Sequence, residues 1–141
     1  MRTLLLLLTM LASTAAALAV PQGGPQYQTD SATVGFLRRH LLSGGEIQYP
    51  LEPRQRKQTG SMFVVMNLRP DGTVESLRTK HLEGDRVFQP HVERALQGYR
   101  FKPKTKGPLL WLVSFAPPAT VVVKVSRSKD GKPPVLFGRS L

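Results

Sequence analysis

Histidines and carboxylates are the side chains from which a catalytic or metal site would be built here, because the chain contains no cysteine. His40, His81 and His91 fall in three different predicted elements without metal-ligand spacing, so we expect them to be exposed. The 9 carboxylates include no evident acid and base pair. Neither a Gly-x-Ser-x-Gly nor a Gly-x-x-x-x-Gly-Lys-Ser/Thr motif occurs. The sequence therefore predicts a protein that is not an enzyme and holds no metal or cofactor.

The chain also carries a large excess of positive charge, which could bind an anionic partner. Its 20 lysines and arginines against 9 carboxylates give a net charge of +11. Six of these cations lie in two clusters, namely Arg54, Arg56 and Lys57 and then Lys102, Lys104 and Lys106. Binding of anionic lipid or another polyanion is one hypothesis, with an ordinary solvated surface as its competitor. Nucleic acid is not an expected partner.

Residues 1–19 have the pattern of a secretory signal peptide. Arg2 gives a positive start, an apolar run follows, and Ala17-Leu18-Ala19 is a small-x-small cleavage signal. An uncleaved anchor is the alternative, but the run is short for a span, which needs about 20 apolar residues. We therefore expect a periplasmic protein whose membrane contact is peripheral at most.

The elements that position any binding site centre on residues 60–103. Alternating apolar positions in 61–69 predict a strand, Pro70-Asp71-Gly72 a tight turn, and 73–81 the returning strand. Apolar residues at helical spacing from Phe88 to Tyr99 predict a helix over about 89–98. This unit is an α+β fold in which a helix packs on one face of a small antiparallel sheet of about three strands.

Two flanking regions extend this unit. Residues 20–46 read as a leader followed by an accessory helix, capped by Asp30 or Ser31 and running to about Leu42. The apolar stretches 109–115 and 120–126 are either two short strands or one strand interrupted at Pro117-Pro118. We assign the domain to 47–126 and a C-terminal tail to 127–141.

An exposed sheet edge is the feature of such a fold that can bind a partner without catalytic residues. Its unpaired backbone groups accept an extended peptide as an additional strand. The β-prone segment Val121, Val123 and Val125 is the candidate edge, and Lys124 is of the type that guards such edges. An interior strand is the alternative, and pairing of two such edges would give a homodimer.

Several short motifs resemble the C-terminal domain of the TonB family of periplasmic energy transducers. They are Tyr49-Pro50, Gly60 at a strand start, Pro70-Asp71-Gly72-Thr73-Val74 at the hairpin, and the helix exit from Ala95 to Pro103. The resemblance covers about residues 47–126. It implies a partner that is an outer-membrane transporter or another envelope protein, bound as an extended peptide, with Tyr49 and Pro50 near the contact and Val121 to Val125 on the receiving edge.

The resemblance also has departures. The transducers that define the family carry an uncleaved membrane helix with a polar coupling residue and a long proline-rich spacer. Residues 1–19 of this chain contain no histidine or carboxylate, and the leader that follows is about ten residues long. The resemblance therefore implies a protein-interaction module that takes part in envelope transport as an accessory or with a motor supplied separately.

Overall fold

The computed structural model describes residues 26–127, which form seven strands, three α-helices and one 3₁₀ turn. The strands are β1 (Gln26–Gln28), β2 (Leu41–Ser43), β3 (Gly60–Leu68), β4 (Val74–Gly84), β5 (Arg100–Phe101), β6 (Leu109–Ala116) and β7 (Thr120–Arg127). The helices are α1 (Ser31–His40), α2 (Leu51–Gln55) and α3 (Gln89–Gln97), the last preceded by the 3₁₀ turn Arg86–Phe88. Five strands form the main sheet in the order β1-β7-β6-β3-β4, while β2 and β5 form a separate pair. The predicted α+β class is confirmed, with a sheet larger than the three strands expected.

The β3–β4 hairpin turns where the sequence predicted, because each turn residue supplies a specific interaction. The Asp71 carboxylate accepts hydrogen bonds from the Thr73 backbone N–H at 3.0 Å and from its hydroxyl at 2.7 Å. These hydrogen bonds lower the pKa of Asp71 below its ordinary value. Gly72 takes a φ of 88°, a conformation that favours glycine. The backbone N–H of Phe101 then donates to the Gly72 carbonyl at 2.8 Å, which attaches the turn to β5.

The hydrophobic core lies between α3 and one face of the sheet. Phe88, Val92 and Leu96 are fully buried along the helix face that the periodicity predicted. Phe88 stacks on Phe115 of β6 with ring centroids 4.3 Å apart. Pro90 lies in the first turn of α3, where a missing backbone N–H costs no hydrogen bond. The Phe88–Phe115 stack joins the start of the helix to β6, the central strand of the sheet.

The accessory helix α1 forms as predicted but ends at His40, two residues earlier than expected. The Asp30 carboxylate caps it by accepting from the Thr33 backbone N–H at 2.7 Å. The next three residues form β2, which pairs antiparallel with β5. Strand pairing therefore stops the helix before the predicted end at Leu42.

The stretch from Leu109 onward forms two strands, since β6 and β7 pair antiparallel from Leu109↔Arg127 to Ala116↔Thr120. The predicted signal peptide and nearly all of the predicted tail lie outside the described residues. Within 26–127, none of the helices has the length and apolar character needed to cross a membrane.

Candidate protein-interaction site

The strand proposed as the receiving edge, β7, has two unlike sides. Its inner side pairs with β6 over its whole length. Its outer side pairs with β1 in a parallel register, with Gln26↔Thr120, Tyr27↔Val121 and Gln28↔Val122 as Cα partners. Over the rest of its length, from Val123 to Arg127, this outer side has no strand partner among residues 26–127.

A single side chain covers part of that remaining outer side. The backbone N–H of Val125 donates to the Thr33 hydroxyl at 2.9 Å, and the same hydroxyl lies 3.5 Å from the Val125 carbonyl. Thr33 is buried at 1% exposure in the first turn of α1. Because backbone direction alternates along a strand, Val121 and Val123 present their backbone groups on the same outer side as Val125. These are the three residues that were predicted from the sequence to form the receiving edge.

Tyr49 lies in the core and not on the surface. Its ring meets Phe88 and Phe115 edge-on, at centroid distances of 5.6 and 5.4 Å, and its hydroxyl donates to the Gln58 carbonyl. Burial raises its pKa. Pro50 is half-buried at the start of α2. Since Phe115 pairs with Val121, Tyr49 supports the sheet beneath one end of β7, and its predicted partner contact stays a prediction.

An apolar cavity of about 220 Å³ lies beside β7, beneath the leader and α1. Its lining includes Thr29, Leu37, Trp111 and Val123. Trp111 is completely buried, and its indole N–H has no hydrogen-bond partner among the described residues. A buried donor without a partner is uncommon and costs free energy. Sequence patterns gave no sign of it, because it is formed by segments far apart in the chain.

Tyr99 forms another wall of the cavity. Its hydroxyl donates to the Gly45 carbonyl at 2.6 Å, and its ring packs edge-on against Trp111 at 5.3 Å. Burial, with a smaller contribution from the Glu46 charge, raises the pKa of Tyr99 from 10.0 to about 12. These contacts attach the exit of α3 to β6, the strand that carries Trp111.

This raised pKa predicts a specific alkaline instability. The folded protein retains the Tyr99 proton where the unfolded chain releases it, so this stabilisation is complete below pH 10 and is lost as the pH rises towards 12. We expect Tyr99→Phe to cost about 1 kcal/mol at pH 7, through the lost hydrogen bond, and to flatten the alkaline fall in unfolding free energy. Denaturant unfolding at several pH values measures both. An unchanged slope in Tyr99→Phe would contradict the assignment, since only the part due to Tyr49 should remain.

The two predicted basic clusters have different surroundings. Arg56 of the first cluster forms an exposed ion pair with Glu52 at 2.7 Å. Lys102, Lys104 and Lys106 instead face Arg39 and Arg127 across a concavity that the sequence did not indicate. His40 also lines it and is half-buried, whereas His91 is exposed. No three metal-ligating side chains cluster within residues 26–127.

Together, these elements define a small α+β domain with a partly covered sheet edge. Residues 45–110 match the family described as the Gram-negative bacterial TonB protein C-terminal, so this part of the chain is a TonB C-terminal family domain. No curated protein matches the chain. The family is one of protein-interaction domains rather than enzymes, and it acts in the periplasm in TonB-type envelope transport. The match ends within β6, so α1, β1 and β7 lie outside it.

Proposed function

We propose that this domain binds an extended segment of an outer-membrane transporter, or of another envelope protein, by strand addition to β7 in the periplasm. The observation that supports this most directly is the pairing of the chain's own residues 26–28 with that strand. An edge that accepts three residues in parallel register has backbone groups directed for an additional strand.

The incoming segment would take the place of β1. Main-chain hydrogen bonds to Val121, Val123 and Val125 would supply affinity, and release of the Thr33 hydroxyl would extend pairing along the strand. The cavity lined by Val123 and Trp111 would receive one large, uncharged side chain of the partner. Because the leader competes for the edge, the apparent affinity would fall in proportion to the fraction of molecules whose edge is open.

The other end of the sheet is a less suitable receiver. β4 lies at that edge and carries Glu75, Arg78, Lys80 and Glu83. Charged side chains along an edge strand disfavour pairing with another chain. β7 carries Lys124 as the single charged residue between Thr120 and Ser126. Pairing of two copies of this chain through β7 is the alternative, and it would give a crosslink between the two copies.

A crosslinking scan in the periplasm of the native host tests the proposal. A photoreactive residue replaces Lys124 or Ser126, which are exposed on β7, and Lys80 on β4 is the matched control. We expect one envelope protein to be captured from β7, with the crosslink in an extended segment of that protein, and little capture from β4. Purified transporter with its segment deleted should then give no crosslink.

Three outcomes would contradict the proposal. Capture from Lys80 but not from Lys124 would move the receiving edge to β4. A crosslink between two copies of this chain would indicate a homodimer. An absence of crosslinks at both β7 positions would contradict the hypothesis that a partner adds as a strand to β7.

A further inference from the structure

Five cations converge on a concavity of about 480 Å³ at one end of the molecule. They come from three separate segments, the end of α1, the loop after β5 and the end of β7. The cationic residues are Arg39, Lys102, Lys104, Lys106 and Arg127, accompanied by His40. No carboxylate is among the lining residues, and none of the five forms an ion pair with a carboxylate of the described residues. Charges that serve only solubility are dispersed over a surface, whereas these five are concentrated in one concavity.

The loop that carries the three lysines is fixed by its own backbone. The N–H of Lys102 donates to the His40 carbonyl at 2.8 Å, and the N–H of Lys104 donates to the Pro70 carbonyl at 2.9 Å. The buried Thr105 hydroxyl donates to the Lys102 carbonyl at 2.6 Å. The loop is therefore joined to both α1 and the hairpin, so the Cα positions of Lys102 and Lys104 are held before any ligand arrives.

The side chains around His40 show how positive the concavity is. Arg127 places a guanidinium nitrogen 3.4 Å from His40 Nε2 and its guanidinium carbon 5.3 Å from the centre of the Phe36 ring. Burial lowers the pKa of His40, as do the charges of Arg127, Arg39 and Lys102. Like charges held this close raise the free energy of the empty site, and an anion would relieve that cost.

We propose that this concavity binds a phosphate group, carried either by a lipid headgroup or by a free phosphate compound. Two arginines can each make paired hydrogen bonds to phosphate oxygens, and three lysines add point charges. The C-terminal end of α1 opposes an anion, but its partial charge of about half a unit is small beside five formal cations. This site does not depend on strand addition to β7.

Two charge-matched triple variants test the proposal. K102Q/K104Q/K106Q removes three charges from the concavity, while R54Q/R56Q/K57Q removes three from the exposed cluster on and after α2. One experimental arm measures co-sedimentation with vesicles of phosphatidylglycerol or phosphatidylcholine. The other titrates inorganic phosphate and follows the pKa of His40 by NMR.

We expect the concavity variant to lose about 100-fold in affinity for phosphatidylglycerol, and the control less than about threefold. Inorganic phosphate should raise the pKa of His40 in the native chain and in the control, because the anion offsets Arg39, Lys102 and Arg127. Binding to vesicles without this response to phosphate would assign the site to a lipid headgroup, and the reverse to a free phosphate compound. Equal losses in both variants, or no binding in either arm, would overturn the proposal.

Discussion

A disulfide that holds the leader on β7 should abolish capture of the partner segment. Gln28 and Val122 are Cα partners in the parallel β1–β7 register, and neighbouring strands lie at a separation that a disulfide can bridge. The native chain has no cysteine, so Q28C/V122C can form only this bond within one molecule. With the edge closed covalently, the open fraction vanishes, and we expect crosslinking to the partner to fall at least about 100-fold. The measurement is capture of the purified partner by the oxidised and the reduced protein.

Each control for this experiment isolates one effect. Reduction should restore capture in the same sample, which excludes damage from the two substitutions. The single variants Q28C and V122C should bind normally under both conditions. Full capture by the oxidised double variant would show that the partner does not use this edge, and the proposed function would then fail.

The second large effect is expected in the hairpin turn, where Gly72→Ala should destabilise the domain by more than about 3 kcal/mol. The residue has a φ of 88°, and a Cβ at this position would lie 1.9 Å from the Phe101 carbonyl oxygen. That neighbour is a backbone atom, and the Phe101 backbone is held in place because its N–H donates to the Gly72 carbonyl, so a side-chain rotation cannot relieve the clash. Denaturant unfolding of the soluble protein, or the yield of folded protein if it does not accumulate, measures the loss.

Gly98→Ala is the matched control for the turn variant. Gly98 ends α3 with a φ of −80°, and the nearest atom to an added Cβ is the Ala95 carbonyl oxygen at 3.6 Å. We expect a change within about 0.5 kcal/mol, because the alanine fits without strain. A similar loss in both variants would mean that the turn has no special requirement for glycine.

The central unit could be predicted from the sequence because its signals are local. Pro70-Asp71-Gly72 carries its own turn chemistry, and the spacing of Phe88, Val92 and Leu96 identifies the buried side of α3. The motifs around these elements also gave the family correctly. Strand count was less predictable, because β1 is three residues long and has no pattern of its own.

The surroundings of the candidate edge could not be predicted for a different reason. Thr33 and Val125 are 92 residues apart, and no periodicity within either segment indicates that they meet. The same holds for the concavity, since Arg39 resembles the solvated face of a helix until Lys102 and Arg127 are placed beside it. The β propensity of the valines was enough to predict a strand at this position. Which segments cover the outer side of that strand depends on long-range packing.

The Thr33–Val125 hydrogen bond also constrains the order of folding. The two residues are far apart in sequence, so closing this contact has a large loop-closure entropy and belongs to the slow class of folding events. The hairpin and α3 depend on local contacts and can form before it. A chain in which this contact has not yet formed would therefore hold a valine-rich last strand with one side uncovered, and such a species is prone to aggregate. The pairing of β1 with β7 and the Thr33 hydrogen bond cover that side in the folded protein, which closes the strand to a second copy of the chain.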